Sequence, residues 1–245
     1  MSDAPAASKS ESPKRENPLY NIGFNILIPI LLLSKGSDWF GFSASTNLIV
    51  SLAFPVSYGI YDFVTRKKFN FVSVIGFVSV LLTGGIGLLR LPTEWIAIKE
   101  AAIPLTIGIA ILISSRSKYP LIKVFLMNPE VVEVEKIQTR LKERNNQEAF
   151  EKLLKKSTWW VAASMLLSAI LNFVLAKIVV TSPSGTEAFN AELARMTGLS
   201  YIVILIPSMA VFIYAAMILF KGIKNLTGLE MEEFFVGAEE KKKPD

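Results

Sequence analysis

The apolar residues of this chain come in blocks of about twenty, and this pattern restricts the fold more than any other feature of the sequence. A helix of about twenty residues crosses the roughly 30 Å hydrocarbon layer of a bilayer. Of the 245 residues, 51% are hydrophobic and 19% are charged, so a soluble domain would expose much apolar surface. The sequence therefore predicts an all-α, polytopic membrane bundle of six transmembrane helices.

The predicted spans divide the chain into five parts. Residues 1–18 are rich in Ala, Ser, Pro and charge, which is typical of a disordered cytoplasmic tail. Helices 1–4 then occupy residues 19–127, a cytoplasmic helical hairpin residues 128–157, helices 5 and 6 residues 158–220, and a charged cytoplasmic tail residues 221–245. The six spans are Leu19–Ser34, Ser45–Val64, Asn70–Leu89, Trp95–Ser115, Thr158–Val180 and Leu199–Phe220.

The distribution of Lys and Arg sets the orientation. The termini and the loops on their side of the membrane carry 21 of these residues, whereas the opposite loops carry only Lys35, Arg90 and Arg195. Because basic loops stay in the cytoplasm, both termini are predicted to be cytoplasmic. The four tryptophans fall at span ends, where interfacial anchors belong.

The polar segment between spans four and five has apolar residues at helical spacing on both sides of the sequence ERNN, which predicts a helical hairpin with a break there. Its acidic and basic residues nearly balance, so we do not expect it to bind nucleic acid. Two interpretations stay open. The hairpin lies on the membrane face of the bundle, or it is a docking surface for a cytoplasmic or envelope protein.

Four of the predicted spans contain a proline near their middle. Proline lacks a backbone N–H, so the carbonyl four residues earlier loses its helical partner and, in lipid, needs another. Such kinks are either structural or line a shared polar pocket, as in transporters with interrupted helices. The predicted kink residues are Pro29, Pro55, Pro104 and Pro207.

Lys99 and Glu100 lie side by side inside the fourth span, shortly before Pro104. Ionisable residues in a membrane are costly and commonly functional, although buried structural pairs also occur. The Lys99 stem is long enough to extend towards the interface, whereas Glu100 must be protonated, paired or in contact with water. We expect Lys177, at comparable depth in the fifth span, to neutralise Glu100, or Lys99 to pair with a polar group of another helix.

Two further residues complete the candidate intramembrane site. Asn25 lies one helical turn before Pro29 and can donate a hydrogen bond near the freed carbonyl. Asp62 lies near the cytoplasmic end of the second span, with Arg66 one turn later, and forms either a local ion pair or part of a relay. The candidate polar site is thus Lys99, Glu100, Asn25, Lys177 and Asp62.

Cys and His are both absent. Thiolate metal sites, disulfides, imidazole relays and Ser-His-Asp triads therefore cannot form. We predict a non-enzymatic protein without a metal or cofactor.

The segment Leu81–Ser114, LLTGGIGLLRLPTEWIAIKEAAIPLTIGIAILIS, resembles bacterial inner-membrane proteins of the intracellular septation protein A type and a related family of six-span membrane proteins. The family's glycine turn and Lys-Pro-Thr helix entry have loose counterparts here, although the lysine and the proline are not adjacent. The resemblance covers about the first 125 residues and implies a multi-pass protein of the bacterial inner membrane, tied to envelope or division assembly. The counterpart residues are Gly84, Gly85, Lys99, Pro104 and Thr106.

Two functions are compatible with these features. The first is an inner-membrane scaffold that binds an envelope or division protein through residues 128–157. The alternative is a small transporter or channel-like carrier, pairing as a homodimer, that uses the intramembrane Lys and Glu residues between kinked helices.

Overall fold

The structure, a computed structural model, describes residues 23–66, 71–117, 120–129 and 131–236, and the predicted N-terminal tail of residues 1–18 lies outside them. These residues are almost entirely helical, with one isolated β-bridge between Val132 and Phe235. Two π-helical turns, Gly23–Leu27 and Tyr201–Leu205, and a 3₁₀ helix, Met231–Phe234, accompany nine α-helices in the described part of the chain. The α-helices are α1 (Ile28–Phe40), α2 (Ala44–Arg66), α3 (Phe71–Leu88), α4 (Glu94–Ser114), α5 (Leu121–Leu126), α6 (Val134–Glu143), α7 (Gln147–Val179), α8 (Glu187–Ser200) and α9 (Ile206–Thr227).

Three helices are long and apolar enough to cross a membrane, and they indicate a membrane protein. They are α4, α7 and the continuous helix Glu187–Thr227 that joins α8 to α9, and they match the predicted spans four, five and six to within one residue at the C-terminal ends of spans four and five. Among the described residues of the first three predicted spans, Gly76–Leu88 of α3 is a shorter apolar helix.

The most extensive packing is between α4 and α7, and α9 covers another face of α7. A small residue allows α4 to approach closely, because a Cβ on Gly108 would lie 3.0 Å from the Cβ of Met165 in α7. Glu94 at the start of α4 is near Lys177 at the end of α7, so the two helices run antiparallel. α4 and α7 are thus the central pair of the bundle.

The buried apolar side chains form two clusters at opposite ends of α7. The loop-end cluster lies beside the α3–α4 and α7–α8 loops, where α1, α2, α4 and α8 meet. Asn190 of α8 is fully buried there, and its side-chain amide donates a 2.8 Å hydrogen bond to the carbonyl of Ala44, tying α8 to the start of α2.

The second cluster forms a folded unit that we call the cap: α5, α6, residues 147–162 of α7, residues 215–227 of α9 and residues 228–236. The chain after α9 runs antiparallel to residues 131–133, with Glu133 N–H bonded to the Phe234 carbonyl and Val236 N–H to the Val131 carbonyl. Gly228 permits this return, because its φ of 71° is a left-handed conformation that ends α9. Part of the predicted C-terminal tail is therefore packed into the cap.

Two helix boundaries differ from the sequence prediction. α1 does not end at Ser34 but continues to Phe40, where Gly41 with a φ of 65° provides the left-handed cap. The predicted limit between hairpin and fifth span, residues 157 and 158, lies inside the 33-residue helix α7. The second arm of the predicted hairpin and the fifth span are therefore one continuous helix, while the break before it, at Arg144–Asn146, lies within the ERNN sequence.

Candidate functional site: a buried ammonium between two helices

Lys99 is buried between α4 and α3, and its ammonium group has a partner for each of its three N–H bonds. Its side chain is 6% exposed. Nζ lies 2.9 Å from Thr83 Oγ1, 3.1 Å from Ser79 Oγ and 2.6 Å from Glu100 Oε1. Lys99 does not extend to an interface, as its length would permit, because hydroxyls of the neighbouring helix satisfy it in place.

The two hydroxyl partners come from one face of α3. Ser79 and Thr83 are four residues apart, so their side chains lie one above the other. The Thr83 hydroxyl donates its proton to the Ser79 carbonyl at 3.0 Å, which turns its oxygen lone pairs towards Lys99. Gly84 and Gly87 of α3 pack closely on Leu52 and Leu48 of α2. α3 is thus held from one side while it presents two acceptors to α4.

Glu100 is the more accessible member of the pair, with a side chain that is 25% exposed. Its Oε1 accepts from Lys99, and no other hydrogen bond or ion pair of this side chain is found among the described residues. Pro104 follows four residues later inside the unbroken helix α4, so the Glu100 carbonyl has lost its usual donor. Glu100 therefore keeps its second carboxylate oxygen, Oε2, without a partner among the described residues.

The expected contact between Lys177 and Glu100 is wrong. Lys177 Nζ lies 3.9 Å from Glu94 Oε1, while Glu100 pairs with its neighbour Lys99. In the antiparallel pair α4–α7, Glu94 is the residue that lies level with Lys177. Glu100 is six residues deeper, about 9 Å along the helix axis, which is beyond the reach of that ammonium.

Of the remaining candidate residues with a described side chain, Asn25 does not join this cluster. Asn25 lies in the π-helical turn Gly23–Leu27, which packs against α1 and α2 rather than α4. Asp62 lies in α2, but its side chain and that of Arg66 are outside the described part of the structure. The predicted polar pocket was shared by several bent helices. Among the described side chains, the observed cluster around Lys99 is compact and lies between α3 and α4.

The four prolines fall into two structural classes. Pro29 and Pro207 each follow a π-helical turn that ends two residues earlier. In a π-turn the hydrogen bonds run to the fifth residue, which accommodates a missing N–H. Pro55 and Pro104 lie inside continuous α-helices. Near Pro55, the Ser51 hydroxyl donates to the Asn47 carbonyl at 2.7 Å rather than bridging the proline gap.

Ser79 and Thr83 were not identified from the sequence as site residues. Hydroxyl residues one turn apart in an apolar helix usually bond to carbonyls of their own helix, as Thr83 also does here. A Ser and a Thr at i and i+4, in the span before the one that contains Lys99, mark them as candidates, but only the structure shows that this face of α3 contacts α4.

The apolar stripe of residues 128–157 is covered by the chain itself. Ile137, Leu141, Phe150 and Leu154 are all buried in the cap. Phe234, from the segment after α9, is also fully buried there. The apolar side chains of this helical stripe are therefore buried inside the cap, and they are not available to bind an apolar surface of another protein.

No family model, no curated protein and no solved structure matches the chain.

Proposed function

We propose that this chain is a small carrier of protons or hard cations in the bacterial inner membrane, with Glu100 as the ion-binding group and Lys99 as its internal counter-charge. The six-span, both-termini-inside arrangement is part of this proposal, and it places the cap in the cytoplasm. In this arrangement the Lys99–Glu100 pair lies within the membrane, in the half nearer the outer surface.

The observation that carries the proposal is the buried Lys99 ammonium with its three partners. An ion pair in a low-dielectric interior is weak evidence for stability, because apolar residues of the same volume often stabilise as well. In a membrane, ionisable side chains are rare, and those that are present commonly belong to ion or proton pathways.

The two members of the pair have different roles in this proposal. Lys99 keeps its charge because Ser79 and Thr83 hold its ammonium when Glu100 is occupied. Glu100 changes state, because a proton or cation competes with Lys99 for its carboxylate. Each binding event thus converts a neutral pair into a pair with one net positive charge, and release restores the neutral pair.

Reconstituted transport tests this proposal. The purified chain in liposomes should show proton flux with an internal pH dye, or sodium flux with an internal sodium-sensitive dye, above that of empty liposomes, and Glu100→Gln should abolish it. Asp38→Asn, an exposed carboxylate far from the cluster, should transport like the wild type. Monodisperse elution and a melting temperature well above the assay temperature must accompany the loss. Absence of flux in the wild type, or equal flux in Glu100→Gln, would reject the carrier.

The cap supports a second candidate function, a scaffold. Its outer face carries exposed basic residues on α6 and α7, including Arg140, Lys142, Lys152 and Lys155. Exposed Glu135, Glu143, Glu148 and Glu151 lie among them, so this face suits a partner surface with charges of both signs. A photocrosslinker at the exposed Gln138 should then capture one defined partner, and Arg140→Glu with Lys142→Glu should abolish capture. Continued capture by the charge-reversed protein would eliminate this candidate.

A pair of subunits completes the carrier proposal, since six spans can form half of a transport unit. Native mass spectrometry of the detergent-purified chain should show a dimer. A monomer that transports at full rate would remove the homodimer from the proposal.

A further inference from the structure

An open cavity of about 600 Å³ lies at the loop end, between the α3–α4 loop and the α7–α8 loop. Its lining contains the cation Arg90 and the anion Glu94, together with the buried Ser184 and the start of α8 at Thr186. This cavity is separate from the Lys99 cluster, none of whose members lines it. Ligand binding in this cavity is therefore independent of the carrier proposal.

The side chain of Arg90 packs on Gly185, and its charged guanidinium group has no ion-pair partner among the described residues. Its stem lies across Gly185, where an added Cβ would be 3.1 Å from Cγ and 3.5 Å from Nε. Gly185 tolerates this contact because it has no side chain, and its φ of 80° also favours glycine. Among the described residues, no hydrogen bond or ion pair engages the Arg90 guanidinium. The N–H groups of the Arg90 guanidinium therefore border the cavity without a hydrogen-bond acceptor among the described residues.

Ser184, which also lines the cavity, has a buried hydroxyl without a hydrogen-bond partner among the described residues. The residue is 8% exposed, and its Oγ makes no hydrogen bond to any group in the described part of the chain. A buried hydroxyl without a partner costs free energy, so such groups usually bind something. Ser184 lies two residues before the N-cap Thr186, whose hydroxyl already accepts from the Phe189 N–H, so the N–H groups of Glu187 and Ala188 are the first-turn donors without a helical partner. A helix N-terminus of this kind attracts anionic oxygens.

Glu94 adds the opposite charge. Its side chain is 60% exposed, and its ion pair to Lys177 Nζ is long at 3.9 Å. A simple anion bound by Arg90 would be repelled by this carboxylate. A molecule that carries both an anionic oxygen group and an ammonium group would satisfy Arg90, Ser184 and Glu94 together.

We infer that this cavity binds a small zwitterion, with its phosphate or carboxylate group between Arg90, Ser184 and the α8 N-terminus, and its ammonium group at Glu94. Phosphoethanolamine headgroups and free amino acids both have this chemistry. A headgroup requires the cavity to lie at bilayer level, whereas a free amino acid requires access from the aqueous phase.

The test uses the full-length chain in nanodiscs of phosphatidylglycerol, which lack ethanolamine headgroups. O-phosphoethanolamine, glycine and inorganic phosphate are titrated and followed by calorimetry. We expect at least one of the two zwitterions to bind more tightly than phosphate. Arg90→Gln should weaken that binding by about tenfold or more, since hydrogen bonds to a charged group are worth about 1.5–3 kcal/mol. Ser184→Ala should weaken it less, and Glu94→Gln should remove the preference over phosphate.

Arg195→Gln, an exposed arginine of α8 that does not line the cavity, is the matched control and should bind like the wild type. Phosphatidylethanolamine nanodiscs separate the two sources: competition against O-phosphoethanolamine identifies the headgroup, and glycine binding without competition identifies a free amino acid. The inference is overturned if no probe binds, if phosphate binds as well as both zwitterions, or if Arg90→Gln and Arg195→Gln behave alike.

Discussion

The side-chain amide of Asn146 donates a 2.7 Å hydrogen bond to the backbone carbonyl of Leu226, 80 residues further along the chain. Asn146 lies in the turn between α6 and α7, and Leu226 lies in the last turn of α9, where carbonyls have no helical partner. This bond fastens the two sides of the cap to each other.

Replacement of Asn146 by alanine should therefore loosen the cap. We expect the free energy of unfolding to fall by about 1 kcal/mol, the usual net value of one such hydrogen bond. Unfolding in mixed micelles, followed by circular dichroism, measures the change. Gln147→Ala alters an exposed neighbour and should have no comparable effect; equal losses in both variants would argue against the Asn146 contact.

The Lys99–Glu100 pair should show strong coupling in a double-mutant cycle. Lys99→Met leaves a carboxylate without its counter-charge, so we expect a loss of about 3 kcal/mol or more. Glu100→Gln should cost less, because Ser79 and Thr83 still hold the ammonium. The double variant Lys99→Met/Glu100→Gln should be more stable than the sum of the single losses predicts. Additive losses would mean that the two side chains do not interact.

Phe234 should be essential for the integrity of the cap. Its ring is fully buried, stacks on Phe220 with centroids 6.0 Å apart and contacts Phe235. Phe234→Ala should cost about 3–5 kcal/mol and expose residues 228–236 to proteases. Val236→Ala, at a half-exposed position in the same segment, is the control. Equal protease resistance of Phe234→Ala and the wild type would contradict the packing described.

Glu192 should hold the α7–α8 loop closed. Its carboxylate accepts hydrogen bonds from the backbone N–H groups of Thr181 and Ser182, at 2.9 and 2.8 Å, and from both of their hydroxyls. Glu192→Gln removes the charge, so hydrogen exchange of the Thr181 and Ser182 amides should rise by about tenfold. Glu148→Gln, in the cap, should leave that exchange unchanged. Protection that survives in Glu192→Gln would show that other contacts close the loop.

The parts of the fold that depend on composition and length could be predicted from the sequence. Spans four to six are long apolar runs, and each coincides with a helix long enough to cross a membrane. The break at ERNN was also predicted, because its residues interrupt the helical spacing of apolar side chains. The continuity of α7 was not predicted. The charged residues up to Lys156 suggested a separate hairpin arm, but one continuous helix can carry charged residues in its first part and apolar residues in the rest.

The parts that depend on relative position could not be predicted. The Lys177–Glu100 pair was inferred from similar depth in two spans, but which residues face each other depends on the antiparallel register of α4 and α7. The role of Ser79 and Thr83 required knowing which face of α3 contacts α4. The residue types of a single helix do not determine its register against a neighbouring helix or its rotation about its own axis.

The unbroken course of α7 has a mechanical consequence. Its 33 residues make a rod of about 50 Å, with Phe150 and Leu154 anchored in the cap and Leu175 and Ala176 anchored beside the loops. A stiff rod pivots as a whole, so a tilt that moves one anchored end must displace the other. α4 packs along this rod and carries Lys99. A tilt of α7 that begins in the cap would therefore move the loop-end cluster as well, and it would shift α4 between them.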